Sequence, residues 1–265
     1  MGDDRALLLL DLAGNVSVEI APPLPANARE LRKRVEEQCG IQKEFLRFLH
    51  GGAVLTEDDS LEAAEAGITL VVDDSAMFLW DTQKNPDSNQ LEVDGPHVRC
   101  PNLMNDYVNV CTQAPLLSGT HYVEFVMHCK GDEQWCGVVP DKALGWGKRV
   151  SGHSSEFVGC FYYCGRRSNP GALQIPGPRG RRPSLESVCD GDIIGLAVDC
   201  DARTMAFSRN GTVQAACAVP DGPLYLLTHV DTPIDHVELR RLTLEDAPPK
   251  LLEALAGPLT SSGAD

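Results

Sequence analysis

Residues 189–211 read CDGDIIGLAVDCDARTMAFSRNG, and this stretch decides the fold of the larger part of the chain. Gly191 and Gly195 lie on either side of an apolar pair, at places where a backbone turns or is closely approached. Acidic residues at 199 and 201 are typical of a hairpin turn. Asn210-Gly211 is the strongest short hairpin signal in the sequence. The stretch therefore predicts an antiparallel hairpin from strands 193–199 and 204–208, followed by a second tight turn.

The same kind of pattern extends over about residues 91–242. Short apolar runs recur every 10 to 15 residues and are separated by Gly, Pro, Asn and Asp, which is typical of an all-β domain. The predicted strands are 98–100, 107–112, 119–127, 133–139, 157–163, 193–199, 204–208, 224–229 and 236–240. About nine strands without a helical period predict two packed antiparallel sheets.

Several of these segments resemble the SPRY domain. The matching motifs are Gly119–Phe125 (Gly-x-x-Tyr-x-Glu-Phe), Trp135–Val139, Gly191–Gly195 (Gly-Asp-x-Ile-Gly), Asp199, Phe207, Asn210-Gly211 and Leu224–Leu227. The resemblance covers about residues 76–243. It implies a concanavalin-like jelly roll, an all-β sandwich that has no catalytic centre and binds protein segments through its loops.

The first 73 residues follow a different pattern. Apolar or alternating runs predict strands at 6–12, 16–20, 45–49 and 68–72, with a helix at 28–38. Asn27 is placed to cap this helix, and Leu31 and Val35 recur at helical spacing. One amphipathic helix across a small mixed sheet predicts an α+β domain of the β-grasp type.

The segment from Cys39 to Leu55 and the run Ile68–Val72 resemble the centre and the last strand of a ubiquitin-like domain, over about residues 5–73. The resemblance implies a partner-binding apolar patch at Leu12, Leu49 and Val71. The alternative is that these three are ordinary core or half-exposed strand residues. Because Val72 continues into Asp73-Asp74-Ser75 and more protein instead of a Gly-Gly tail, we expect a built-in module and not a conjugated modifier.

By position, the SPRY resemblance implies a binding face on the loops before Gly119, at 140–152 and at 229–233. The candidate protein-binding residues are Thr112, Gln113, Trp146, Val230, Asp231 and Thr232. Trp146 is the leading candidate because exposed aromatic side chains anchor interfaces, although its ring could instead fold back onto the sandwich. The side chains with which SPRY subfamilies hold their peptides are not recognisable here, so the ligand does not carry over.

The chain has 23 basic and 38 acidic residues, a net charge of -15, and 15 of the acidic residues lie in the first 75 positions. This excess argues against nucleic acid or an anionic membrane as the partner. A local basic cluster stands out against it, formed by Arg166, Arg167, Arg179, Arg181 and Arg182. It is a candidate loop for an acidic or phosphorylated peptide; the alternative is a solvated hairpin of mixed charge.

The sequence has ten cysteines, and no two of them form a CxxC motif. The acidic residues near the N-terminus predict that there is no secretory signal. We therefore expect buried free thiols in a reducing compartment, the cytoplasm, with the nucleus as a second location. Cys160 and Cys164 with His128 or His153 have the wrong spacing for an ordinary zinc site. We accordingly expect no metal and no cofactor.

These observations predict a non-enzymatic adaptor with a ubiquitin-like domain (1–73), a SPRY domain (74–245) and a short helical or disordered tail (246–265). Its partners are expected to be proteins, including short peptide motifs and receptors of the ubiquitin system. No nucleophile motif, phosphate loop or HExxH is present. The alternatives are an enzyme or accessory subunit of the ubiquitin pathway, and a lectin-like sandwich with Asp199 and Asp201 at a Ca²⁺ site.

Overall fold

The structure, a computed structural model, describes residues 7–10, 16–39, 46–61, 68–72, 77–82, 91–101, 108–131, 133–140, 159–164, 170–175, 184–230 and 232–257. These residues divide into two compact units. The first unit runs up to Met77 and includes 113–115, and the second unit comprises the rest. Within the described ranges, no helix is long and apolar enough to cross a membrane.

Among the described residues, the first unit contains one α-helix and a five-stranded mixed sheet. Its elements are β1 (Leu7–Leu10), β2 (Val16–Ile20), α1 (Ala28–Cys39), β3 (Leu46–His50), β4 (Ala53–Val54) and β5 (Ile68–Val72). The strand order is β2-β1-β5-β3-β4, in which β1 and β5 are parallel and the other pairs are antiparallel. The predicted bounds of β2 and β5 are confirmed, and α1 and β3 differ from prediction by one residue.

The helix begins where the sequence predicts it. The backbone N–H of Glu30 donates to Asn27 Oδ1 at 3.0 Å, and the Glu30 carboxylate accepts from the Ala26 N–H at 2.9 Å. These reciprocal bonds satisfy two amides at the helix start. Leu31 and Val35 are fully buried, as the helical spacing predicts.

The second unit contains thirteen described strands in two antiparallel sheets. They are β6 (Glu92–Asp94), β7 (His97–Arg99), β8 (Val108–Cys111), β9 (Thr120–Cys129), β10 (Trp135–Val139), β11 (Cys160–Tyr163), β12 (Gly171–Gln174), β13 (Ser184–Leu185), β14 (Ile193–Asp199), β15 (Thr204–Arg209), β16 (Thr212–Ala218), β17 (Tyr225–Val230) and β18 (His236–Leu242). The sheet orders are β13-β12-β11-β10-β17-β8 and β16-β15-β14-β9-β18-β7-β6.

The two sheets pack against each other as a β-sandwich. The buried ring of Tyr162 on β11 meets the ring of Phe207 on β15 edge to face, with centroids 5.8 Å apart. The Cys160 thiol on one sheet donates to the Ala218 carbonyl on the other at 3.4 Å. The predicted all-β architecture is therefore confirmed for this unit.

All nine strands predicted for this unit are present, with bounds that differ by at most a few residues. The prediction missed β6, β12, β13 and β16. Before β6, the backbone of Trp80 forms an isolated bridge to Thr112. The buried indole of Trp80 donates to the Pro96 carbonyl at 2.7 Å.

Asp192 explains why residues 189–211 carry their motif. Its carboxylate accepts from the Cys189 N–H (2.6 Å), from Arg209 Nε (2.8 Å) and from Asn210 Nδ2 (2.7 Å). Asn210 and Gly211 have φ angles of 48° and 77°, the left-handed values that this tight turn requires. The carboxylate thus ties the start of β14 to the end of β15, and its role is structural.

Asp192→Asn is expected to destabilise the second unit in a pH-dependent way. Burial alone would raise the pKa of Asp192, but the hydrogen bonds from Cys189, Asn210 and Arg209 outweigh it and lower the pKa below its ordinary value. The ionised carboxylate therefore stabilises the fold above about pH 4, the unfolded value, and this contribution is lost as the pH falls through the lowered folded pKa. We expect a loss of about 1–3 kcal/mol at pH 7.

The measurement is urea unfolding of wild type and variant from pH 7 to pH 3, followed by tryptophan fluorescence. This signal reports on the second unit, because all three tryptophans follow residue 77. Asp221→Asn, at an exposed position, is the control and should change little. A wild-type advantage that stays constant over the whole pH range would contradict the prediction.

The C-terminal helix belongs to the second unit. After a 3₁₀ turn at Leu244–Asp246, α2 (Pro249–Ala256) buries Leu251 and Leu255 against Tyr122, Ala197 and Ala206. The helix lies within the part of the chain expected to be a short helical or disordered tail, and it covers part of the seven-stranded sheet.

Candidate functional site

Residues 232–235 form a turn between β17 and β18 whose backbone is held by hydrogen bonds to a buried carboxylate. The Asp235 side chain is 1% exposed, and its two carboxylate oxygens accept from the Gly131 N–H at 2.6 Å and the Thr232 N–H at 2.8 Å. The Asp235 N–H donates to the Thr232 carbonyl at 2.9 Å. These bonds hold the 232–235 turn in one conformation.

The 232–235 turn presents an apolar tip. Pro233 is exposed, and Ile234 is 50% exposed although isoleucine is usually buried. An apolar side chain on a fixed turn is suited to insert into a partner's pocket, since little conformational freedom is lost on binding. Ile234 was not among the residues predicted from the sequence; its signal was an apolar residue between a proline and an aspartate in a predicted loop.

A buried ring stack supports the strands that carry this turn. His229 on β17 and Trp135 on β10 have ring centroids 3.7 Å apart and planes 4° apart. Trp135 Nε1 donates to Asn109 Oδ1 at 3.0 Å, and His229 Nδ1 lies 3.0 Å from the Val108 carbonyl oxygen. The stack therefore links β8, β10 and β17 just before the 232–235 turn.

The candidate loop residues predicted from the sequence differ in how exposed their side chains are. Thr112 and Val230 are fully buried, and Thr112 pairs with Leu226 through its N–H (2.9 Å) and its Oγ1 (3.2 Å). These two side chains are part of the interior, which corrects the expectation that they face a partner. Gln113 is half-buried and falls in the first unit, whereas Thr232 is partly exposed in the second.

The other predicted site residues lie outside the described residues. They are Leu12, Trp146, Asp231, Arg166, Arg167, Arg179, Arg181 and Arg182. Their proposed roles stay predictions.

Leu49 and Val71 lie on the outer face of the first sheet, defined here as the side away from the buried Phe48 and Leu70. Both are partly exposed, and Val71 pairs across β3 and β5 with Arg47. On β1, Leu8 alternates with the buried Leu9 and is 42% exposed. The outer face therefore carries apolar side chains that the core does not use.

Three histidines lie together on the seven-stranded sheet. His97, His128 and His236, named the histidine cluster, come from β7, β9 and β18, which are neighbours in the order β9-β18-β7. One ring nitrogen of each lies within 4.8 Å of the others. The His128 and His236 rings are stacked with centroids 4.4 Å apart.

Charged neighbours surround the histidine cluster. His128 Nε2 lies 2.7 Å from Glu238 Oε2, and Arg240 donates to both oxygens of Glu238 at 2.8 and 3.0 Å. Arg240 is the main reason why the pKa of Glu238 falls to about 2. Burial, followed by the charge of Arg99, lowers the pKa of His236 to about 4. His236 is therefore neutral at pH 7.

The acidic pair considered for Ca²⁺ serves the hairpin turn. Asp199 Oδ1 accepts from the Asp201 and Ala202 amides at 3.0 and 2.7 Å, and Asp201 Oδ2 accepts from the Gly119 N–H at 3.0 Å. These bonds are the turn-forming role that such residues commonly have. They give no support to a lectin-like Ca²⁺ site.

Most described cysteines are unsuited to act as nucleophiles. Of the nine, seven are buried and two, Cys129 and Cys189, are exposed. Burial raises the pKa of Cys136, and it raises the pKa of Cys200 to about 12. A thiol needs a lowered pKa to react as a thiolate.

No family model and no curated protein matches this sequence. Among solved structures, the SPRY domain of human HERC1 is similar, with 17% identity, coverage of 62% of this chain and 99% of that chain, and a TM-score of 0.47. A human SPRY domain has 18% identity, coverage of 57% and 94%, and a TM-score of 0.43. The TRIM65 PSpry domain has 12% identity, coverage of 62% and 92%, and a TM-score of 0.43.

Proposed function

We propose that this protein is a non-enzymatic adaptor with two protein-binding modules. The second unit, as a SPRY-type jelly roll, binds a protein or peptide target through its loops. The first unit, as a ubiquitin-like β-grasp domain, docks to a receptor of the ubiquitin–proteasome system. The adaptor acts in the cytoplasm, with the nucleus as a second location, in keeping with free thiols at the nine described cysteines.

The observation that carries the proposal is the 232–235 turn. A buried carboxylate fixes its backbone, while Ile234 remains half exposed at its tip. Interfaces gain most of their affinity from a few anchors that fill pockets on the partner. A preformed loop loses little entropy on binding, so such an anchor mainly lowers the rate of dissociation.

The outer face of the first sheet supports the second half of the proposal. It carries the partly exposed Leu49 and Val71 and the more exposed Leu8, while α1 buries Leu31 and Val35 with the other side of the sheet. An apolar sheet face opposite a single helix is the surface that the ubiquitin-like resemblance implies. Receptor docking would then use residues of the first unit, and target binding would use residues of the second.

Ile234→Asp is expected to remove the target from the adaptor. Placing a charge in the partner's pocket should cost about 2 kcal/mol or more, which corresponds to about 30-fold in Kd. Ile175→Asp is the matched control, since Ile175 is also 50% exposed. Quantitative pull-down of the full chain and both variants from cell extract measures the effect.

A target is a protein that is recovered with the wild type and with Ile175→Asp but not with Ile234→Asp. The double variant Trp146→Ala/Asp231→Ala tests the neighbouring loop positions predicted from the sequence. If neither loop variant changes the recovered partners, the 232–235 turn is not the binding surface. Leu8→Asp tests the first unit separately and should release proteasome components while the target is retained.

A further inference from the structure

We propose that the histidine cluster is a binding site for a divalent transition-metal ion, with Zn²⁺ as the principal candidate. The site would consist of His97, His128 and His236, each giving one imidazole nitrogen. Imidazole is a ligand that suits Zn²⁺, Cu²⁺ and Ni²⁺. The inference goes beyond the adaptor function, because it concerns metal binding and does not depend on target binding by the 232–235 turn.

The sheet register brings the three rings to one place. Glu238 on β18 pairs with His97 on β7, and His236 pairs with Cys129 on β9. The next residue of β18, Val237, pairs with Met127, so His128 is the extra residue of a β-bulge. The bulge allows the His128 ring to stack on His236, and bulges commonly redirect a side chain toward a functional site.

The distances fit a metal ion with small side-chain adjustments. His97 Nδ1 and His236 Nε2 are 3.2 Å apart. Two nitrogens bound to Zn²⁺ at about 2.0–2.1 Å with tetrahedral angles are about 3.4 Å apart. These two rings therefore already have nearly the spacing of a ligand pair. The third ligand nitrogen, on His128, lies within 4.8 Å of both, so metal binding would have to draw it closer to them.

A second shell is already in place for His128. Nε2 of His128 donates to Glu238 at 2.7 Å, and Arg240 holds that carboxylate in turn. Ligating histidines commonly give their other N–H to a carboxylate, which fixes the tautomer and the ring orientation. Here the bond leaves the lone pair on Nδ1 available for the metal.

The surrounding charges favour a cation on balance. Arg99, which pairs with His236 in the sheet, opposes a metal ion, but its own neighbour on β6 is Glu92. Asp94 pairs with His97, whereas the carboxylate of Glu238 is offset by Arg240. Three histidines leave a fourth tetrahedral position for water or for a group from a partner. A bound ion would connect β7, β18 and β9.

The test is isothermal titration of the reduced, chelator-treated full chain with Zn²⁺ alone. We expect one ion per chain, and a loss of affinity of at least about 10-fold in His97→Gln and in His128→Ala. Glu238→Gln should lose about 10-fold through the second shell. His121→Ala is the matched control, because His121 lies on the same strand as His128 and its ring contacts the Ser118 carbonyl instead.

Thiol ligation is the competing explanation, since Cys129 and Cys189 are exposed. A Cys129→Ser/Cys189→Ser variant should bind Zn²⁺ as wild type does, and Co²⁺ bound to the full chain should show no thiolate charge-transfer band. Zinc binding that is lost in the cysteine variant but kept in the histidine variants would overturn the proposal. So would wild-type protein that takes up no Zn²⁺.

A variant could lose Zn²⁺ affinity because it fails to fold and not because it lacks a ligand. NMR of the wild type avoids this ambiguity, since no residue is changed. Zn²⁺ should shift the imidazole ¹⁵N resonances of three of the seven histidines. Unchanged imidazole resonances on saturation with Zn²⁺ would overturn the assignment whatever the variants do.

Discussion

Gly137→Ala is expected to unfold the second unit at denaturant concentrations where the wild type is still folded. A Cβ atom at position 137 would lie 2.0 Å from the Cys160 carbonyl oxygen and 2.9 Å from the Phe161 Cα. Both are backbone atoms of β11, and β10 is also paired with β17 on its other side. The strand therefore cannot move away without breaking a ladder, and we expect a loss of about 3–5 kcal/mol in the free energy of unfolding.

Gly222→Ala is the control that separates the steric clash at position 137 from the cost of placing alanine in a backbone conformation that favours glycine. Gly222 has a φ of +92° and no atom within 4 Å of an added Cβ. Alanine there should cost only about 1–2 kcal/mol, for the left-handed conformation. Urea unfolding followed by tryptophan fluorescence measures both variants. Equal midpoints for Gly137→Ala and wild type would show that β10 and β11 are not packed as described.

The elements that the sequence predicted well are those whose signals are local. The Asn27 side chain caps α1 within three residues, and Asn210-Gly211 sets its turn through its own φ angles. The missed strands have weak patterns of their own, even where the Asn210-Gly211 turn precedes one of them, β16. β13 has two residues, and β16 contains small, half-exposed residues such as Val213 and Ala216 that pack against α2. Contact with a helix from elsewhere in the chain cannot be read from the strand itself.

The candidate site was harder to predict because side-chain direction depends on distant partners. Thr112 occupies the loop position that the resemblance implies, but it is buried because it pairs with Leu226. Ile234 is exposed because the carboxylate beside it bonds to Gly131, about a hundred residues earlier. The histidine cluster needs a bulge at His128, and no glycine or proline marks that bulge in the sequence.

Trp135→Ala is expected to have the other large effect, because it removes the ring stack that links three strands. The indole is 2% exposed and lies in a cluster with Phe161, Tyr225 and Leu227. Its loss leaves a cavity and removes a hydrogen bond to Asn109. Truncation of a buried tryptophan costs about 3–5 kcal/mol, and urea unfolding followed by far-UV circular dichroism measures it.

Trp135→Phe is the control that separates packing from hydrogen bonding. Phenylalanine keeps an aromatic face toward His229 but cannot donate to Asn109, so we expect a smaller loss of about 1–3 kcal/mol. The stack also lies directly before the 232–235 turn, which predicts a local effect. In Trp135→Ala, hydrogen exchange at the Thr232 and Asp235 amides should become faster than in Trp135→Phe. If hydrogen exchange at these two amides is unchanged in Trp135→Ala, Asp235 fixes the turn without support from the Trp135–His229 ring stack.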